Sequence, residues 1–142
     1  MTSGTLTEQT MTFALTAVRS GPESSTASVG AAHITLDTSV TGNPEALNPM
    51  ELLMSALGAC FLKGIERFAP TLPFSFSDAE VRITAERPVN EARVTRIDYA
   101  IAVTTDEDDR RLDLLHKNLL TFGTMYNTIS PGTPIAGTLT RA

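Results

Sequence analysis

The longest apolar run in the chain lies between Leu47 and Pro70, LNPMELLMSALGACFLKGIERFAP. Through its first three turns the apolar positions close nearly all round a helix, so no side of it can face water and other elements must wrap it. Its start is marked by Asn48 as a favoured N-cap, Pro49 at the first helical position and Glu51 at the N3 position of a capping box. Leu47 and Leu52 are placed as a hydrophobic staple, and Pro70 and Pro73 end the element. Gly64, inside the run, costs about 1 kcal/mol relative to alanine, which fits close approach by another backbone.

The other segments alternate. Met11, Phe13, Leu15 and Ala17 oppose Thr12 and Thr16, the pattern of a half-buried strand, broken by Arg19-Ser20-Gly21-Pro22. One or two strands are expected between Thr26 and Asp37, with Ala32, Ile34 and Leu36 on one face and His33, Thr35 and Asp37 on the other. Gly42-Asn43-Pro44 then marks a loop. Ala79, Val81, Ile83 and Ala85 alternate with charged and polar residues. After a turn at Pro88 to Glu91, Ile97, Tyr99, Ile101 and Val103 share a face, which predicts an antiparallel hairpin. Asp106 to Asp109 opens a second helix with the stripe Leu112, Leu115, Leu119, Phe122, and Gly123 closes it as a C′ glycine. A last strand spans Thr133 to Thr140, with Ile135 and Leu139 inward.

This order predicts an α+β fold with antiparallel pairing, in one domain over residues 1–142 whose first ten residues form a loose tail. One sheet of five or six strands cannot surround the first helix. A second copy of the chain can, so a homodimer with the long helices inside is expected.

Composition narrows the function. With 142 residues, 42% of them hydrophobic and 19% charged, the chain is an ordinary globular one. A net charge of −5 and scattered Lys and Arg argue against a nucleic-acid partner and against an anionic membrane surface. No positive segment followed by an apolar run opens the sequence, and the apolar helix is too short before Lys63, Glu66 and Arg67 to span a bilayer; a cytoplasmic protein is expected. The single cysteine, Cys60, leaves no internal disulfide and no Cys-based zinc site. His33 and His116 are isolated and read as surface residues, so neither a metal nor a cofactor is expected. Cys60 itself is either a small buried hydrophobe or a reactive thiol, and the second requires a nearby cation.

The segment NPMELLMSALGACFLKGIERFA resembles the OsmC/Ohr family of osmotically inducible and organic hydroperoxide resistance proteins. The resemblance rests on Asn48-Pro49-Met50-Glu51 and Gly58-Ala59-Cys60-Phe61, and extends through the hairpin and second helix to Gly123-Thr124-Met125-Tyr126-Asn127-Thr128-Ile129. It implies an intertwined homodimer, with antiparallel sheets wrapped around long central helices. It also implies a thiol-dependent peroxidase that reduces organic hydroperoxides in oxidative-stress defence, through Cys60 and an external thiol reductant. Two departures stand out. The family's second cysteine is replaced within Gly123-Thr124-Met125-Tyr126, and Met50 stands where the hydroperoxide branch has a catalytic Glu. Arg19 is the candidate for the branch's activating Arg, its plain alternative being a solvated residue at a strand end. Glu51 is a second candidate beside its capping role, but nine residues put it opposite Cys60 on the helix, so only a partner helix brings the two together. Met50, Phe61, Gly123, Thr124 and Tyr126 are the candidate pocket residues. The competing reading is a non-catalytic member holding a small apolar ligand at the dimer interface.

Overall fold

The computed structural model describes residues 9–142, and the tail expected at 1–10 lies mostly outside them. The chain forms two compact units, residues 1–49 and 50–142. In the first, β1 (Thr16–Arg19), β2 (Ser25–Val29) and β3 (Ala32–Leu36) make an antiparallel sheet in that order. The region expected to give one or two strands gives two, split at Gly30, whose φ of +58° is a turn conformation that glycine adopts freely. β1 is shorter than the alternation from Met11 suggests. Met11, Phe13 and Leu15 are 79%, 83% and 63% exposed, so among the described residues the apolar side of that segment is not buried.

The long helix α1 (Pro49–Thr71) starts beside the expected cap and runs one residue past Pro70. In the second unit it packs with β4 (Asp78–Glu86), β5 (Arg96–Thr104), α2 (Asp109–Phe122), α3 (Thr124–Ile129) and β6 (Ile135–Arg141). The core joins Leu57, Phe61 and Ile65 of α1 to Ile97, Tyr99, Ile101 and Val103 of β5 and to Leu112, Leu115 and Leu119 of α2. The hairpin and its inward face are as the alternation predicts, with Val81 opposite Ile101 and Ile83 opposite Tyr99. At α2, Asp108 is the N-cap, its carboxylate accepting from the backbone N–H of Arg111 at 2.9 Å.

Four expectations are corrected. β6 pairs with β5 in parallel, Tyr99 lying opposite Gly137, because the segment between them contains α2 and α3 and returns the chain in the same direction. Gly64 admits a side chain and not a backbone: a Cβ there would lie 2.6 Å from Leu119 Cδ2. Gly123 is not a left-handed cap, having φ −75° and ψ 109°. Its small size is needed because a Cβ would lie 2.5 Å from the Leu119 carbonyl oxygen where α2 gives way to α3. Phe122 leaves the apolar stripe, being 59% exposed, and packs instead on Phe68 with ring centroids 5.6 Å apart.

Within the second unit, α1 is buried along one row and exposed on both flanks of it. Leu57, Phe61 and Ile65 are buried, whereas Leu53 and Leu62 remain 36% and 40% exposed.

Candidate functional site

Cys60 sits in the middle of α1, half-buried. Helical geometry puts it on the same line as Leu53, seven residues earlier, and one turn from Gly64. It therefore borders the buried face, on the flank where Leu119 of α2 closes against Gly64. Leu119 in turn carries the contact with Gly123, whose absent Cβ would also lie 3.5 Å from that of Tyr126. The structure thus brings Gly123 and the half-buried Tyr126 together at the α2–α3 junction. Thr124, the first residue of α3, is exposed.

Phe61 lies in the core, its ring 4.7 Å from that of Tyr99. Met50 is half-buried in the first turn of α1. Glu51 lines a groove of about 490 Å³ with Met54, Ser55, Gly58, Ala59, Leu62, Val81 and Ile83. Cys60 is not part of that lining. The half-turn offset between residues nine apart accounts for this, and within one chain the structure does not bring Glu51 to the thiol.

Arg19 closes β1. The register puts it opposite Ser25 and, through β2, in line with Leu36 of β3, while Ala17, Ala27 and Ile34 form the next row of the same face. Arg19 itself is exposed, like the rest of β1, at the end of a sheet face whose next row is apolar. His33 falls on the opposite face and is exposed.

The pair that the sequence left unread is Tyr99 and His116. The surface reading of His116 is overturned: its Nε2 and the Tyr99 hydroxyl are 2.6 Å apart, with the rings edge to face at 5.7 Å. Burial pushes the Tyr99 hydroxyl up to about 12, Tyr126 adding to the shift. Burial also holds the His116 imidazole below its ordinary value, against an opposing pull from Asp113. Both groups are therefore neutral at pH 7, joined by one hydrogen bond. The one available signal was spacing, since His116 is four residues after Leu112 and three before Leu119, at the edge of the stripe. Among the described residues no three His, Cys, Asp or Glu side chains converge as a metal site, and no helix is long and apolar enough to cross a membrane.

The fold and the placement of α1 define an OsmC-like protein. The family model described as OsmC-like protein matches residues 42–137, well over half of the chain, and the chain belongs to that family. Its fold is similar to that of an OsmC-like protein from Mycoplasma pneumoniae, at 20% identity over 94% of this chain and 99% of that one, with a TM-score of 0.86. An organic hydroperoxide resistance protein from Elizabethkingia anophelis is 13% identical over 94% and 99% of the two chains, at a TM-score of 0.68. The organic hydroperoxide resistance protein OhrB of Bacillus subtilis is 17% identical over 93% and 98%, at 0.62. Likeness at these identities is one of fold. No curated protein sequence matches the chain.

Proposed function

We propose that the protein is a one-cysteine thiol peroxidase acting on organic hydroperoxides. The Cys60 thiolate attacks the peroxide oxygen distal to carbon, the O–O bond breaks, and the alkoxide leaves as an alcohol after taking a proton. Sulfur is oxidised to the sulfenic acid while the peroxide is reduced. An external dithiol then condenses with the sulfenic acid, releasing water, and its second thiol displaces Cys60 as the dithiol closes to a disulfide. A reducing compartment such as the cytoplasm supplies such a thiol.

The observation that supports this reading is a half-buried thiol in the middle of α1, within the span that the family model matches. Arg19, exposed at the end of β1, is the cation assigned to stabilise the thiolate and orient the peroxide. The same reading takes the protein as a homodimer, supported by the exposed Leu53 and Leu62 on α1 and by the exposed Ile34 and Val29. Glu51 then acts on a thiol only from the partner helix, and Met50, Phe61, Gly123, Thr124 and Tyr126 are assigned to the apolar surroundings of the substrate.

A second reading, a non-catalytic binder of a small apolar ligand, is favoured by the groove along α1 and β4, whose lining is mostly apolar around Glu51. One assay separates the two. Peroxide consumption with tert-butyl hydroperoxide and dithiothreitol is compared between the protein and Cys60→Ser. The peroxidase reading expects consumption that disappears with the thiol; equal slow rates in both would leave only the binder.

A further inference from the structure

The loop from Asp37 to Leu47, which leads from β3 to α1, is held by a side chain that the alternation placed on a polar strand face. Asp37 is only 7% exposed. One carboxylate oxygen accepts from the backbone N–H and the hydroxyl of Ser39, at 3.0 and 2.6 Å, and the other from the backbone N–H of Asn43 at 3.0 Å. These bonds, that of the Ser39 hydroxyl foremost, hold the carboxyl below the usual carboxylate range. Ser39 Oγ accepts in turn from the N–H of Gly42, whose φ of +100° suits glycine.

Two links leave this knot for the β1–β2 turn, at the same end of the sheet. Asn43 Nδ2 donates to the carbonyl of Glu23 at 3.2 Å, across twenty positions of sequence, while its Oδ1 accepts from the N–H of Glu45 at 3.0 Å. The Thr38 hydroxyl shares a 2.7 Å hydrogen bond with that of Ser25, which is 6% exposed. Glu23 lies in the turn between Arg19 and Ser25, and Ser25 is the ladder partner of Arg19. That turn is closed by the Ser20 N–H donating to the Ser24 carbonyl at 3.0 Å. A short hairpin turn needs neither link to form, so their effect is to fix where the Arg19 end of the hairpin stands relative to the loop.

We propose that Asp37 and Asn43 are positioning residues that hold the Arg19 end of the β1–β2 hairpin, Asp37 by shaping the loop and Asn43 by reaching from it to the turn. The use made of Arg19 rests on the peroxidase reading above; the positioning itself does not. A long, flexible guanidinium contributes to a transition state only as far as its anchor is fixed, since mobility there is freedom lost again at each turnover. Asp37→Asn keeps the shape but replaces an acceptor by an amide that carries two N–H donors, and it removes the charge that gathers three donors.

The test uses Asp37→Asn and Asn43→Ala, each alone and combined with Arg19→Ala. Amide hydrogen exchange reads the positioning directly. The Ser20 amide is expected to exchange at least about tenfold faster in both variants while the Ile101 and Val103 amides keep their protection. Unchanged protection at Ser20 overturns the proposal. Activity with tert-butyl hydroperoxide and dithiothreitol reads the coupling. Each variant is expected to lower kcat/KM about tenfold when Arg19 is present and to lower it no further in the Arg19→Ala background. An equal loss in both backgrounds overturns the role through Arg19. A protein that consumes no peroxide at all overturns the peroxidase reading instead, and the exchange measurement still decides the positioning.

Discussion

Tyr99 and His116 join the sheet to α2 by one 2.6 Å hydrogen bond between two neutral side chains. Around them are the Phe61 ring, packed on Tyr99, and Gly137, whose missing side chain leaves room for the Tyr99 ring in the parallel register. A polar pair in such surroundings contributes most by being complete, because a lone partner would keep its desolvation cost without its bond.

Removing one member should therefore cost more than removing both. Tyr99→Phe is expected to lower the unfolding free energy by about 1–2 kcal/mol, and adding His116→Leu to recover part of it. Urea denaturation of the two single variants and the double variant measures this. Strict additivity would mean that the bond carries no stability.

The same pair makes stability depend on pH. The folded His116 value lies below the unfolded one, because burial disfavours the imidazolium. Its contribution is then complete above the unfolded value near 6.5 and is lost as pH falls from there toward the folded value. The midpoint of urea unfolding should fall between pH 7 and pH 5, and His116→Leu should flatten that part of the profile. A profile of the same slope with and without His116 would assign the acid loss to other groups.

The Gly64–Leu119 contact predicts another non-additive pair. Gly64→Ala puts a methyl 2.6 Å from Leu119 Cδ2, so the leucine end must shift. The strain, of order 1–3 kcal/mol, outweighs or cancels the gain of about 1 kcal/mol in helix propensity. Leu119→Ala leaves a cavity and costs about 2–5 kcal/mol. The double variant should be more stable than the sum of its parts, since the new methyl occupies vacated space. Thermal and urea unfolding give the coupling energy, and a value near zero would mean that the helices are not interlocked at this point.

The assembly proposal has its own test. Leu53→Glu with Leu62→Glu places charge on the two exposed flanks of α1 without touching Leu57, Phe61 or Ile65. The native protein should sediment as a dimer and the variant as a monomer with its secondary structure retained. A native monomer at micromolar concentration would end the dimer reading, and with it any role for Glu51 at the thiol.

The parts of the fold legible in the sequence are those whose periodicity is met inside the chain. The inward row Ile97, Tyr99, Ile101, Val103 and the stripe Leu112, Leu115, Leu119 are all buried where the pattern puts them. The direction of β6 was not legible, because alternation reports faces and carries no sign of orientation. α3 escaped because Thr124–Ile129 is too short to show a helical period. For the site, helix arithmetic was enough to set Glu51 opposite Cys60. The Tyr99–His116 pair and the link from Asn43 to Glu23 join residues 17 and 20 positions apart, which no local pattern encodes.

The parallel docking of β6 also bears on how the second unit acquires its structure. β4 and β5 are adjacent in sequence and can zip from their turn, whereas β6 finds its place on β5 only after the whole segment 105–134 has been spanned. Closing that longer loop costs entropy before any ladder bond repays it. The hairpin and α2 are therefore expected in the folding nucleus, with β6 joining late. Substitutions at Leu139, the buried residue of β6, should accelerate unfolding far more than they slow folding.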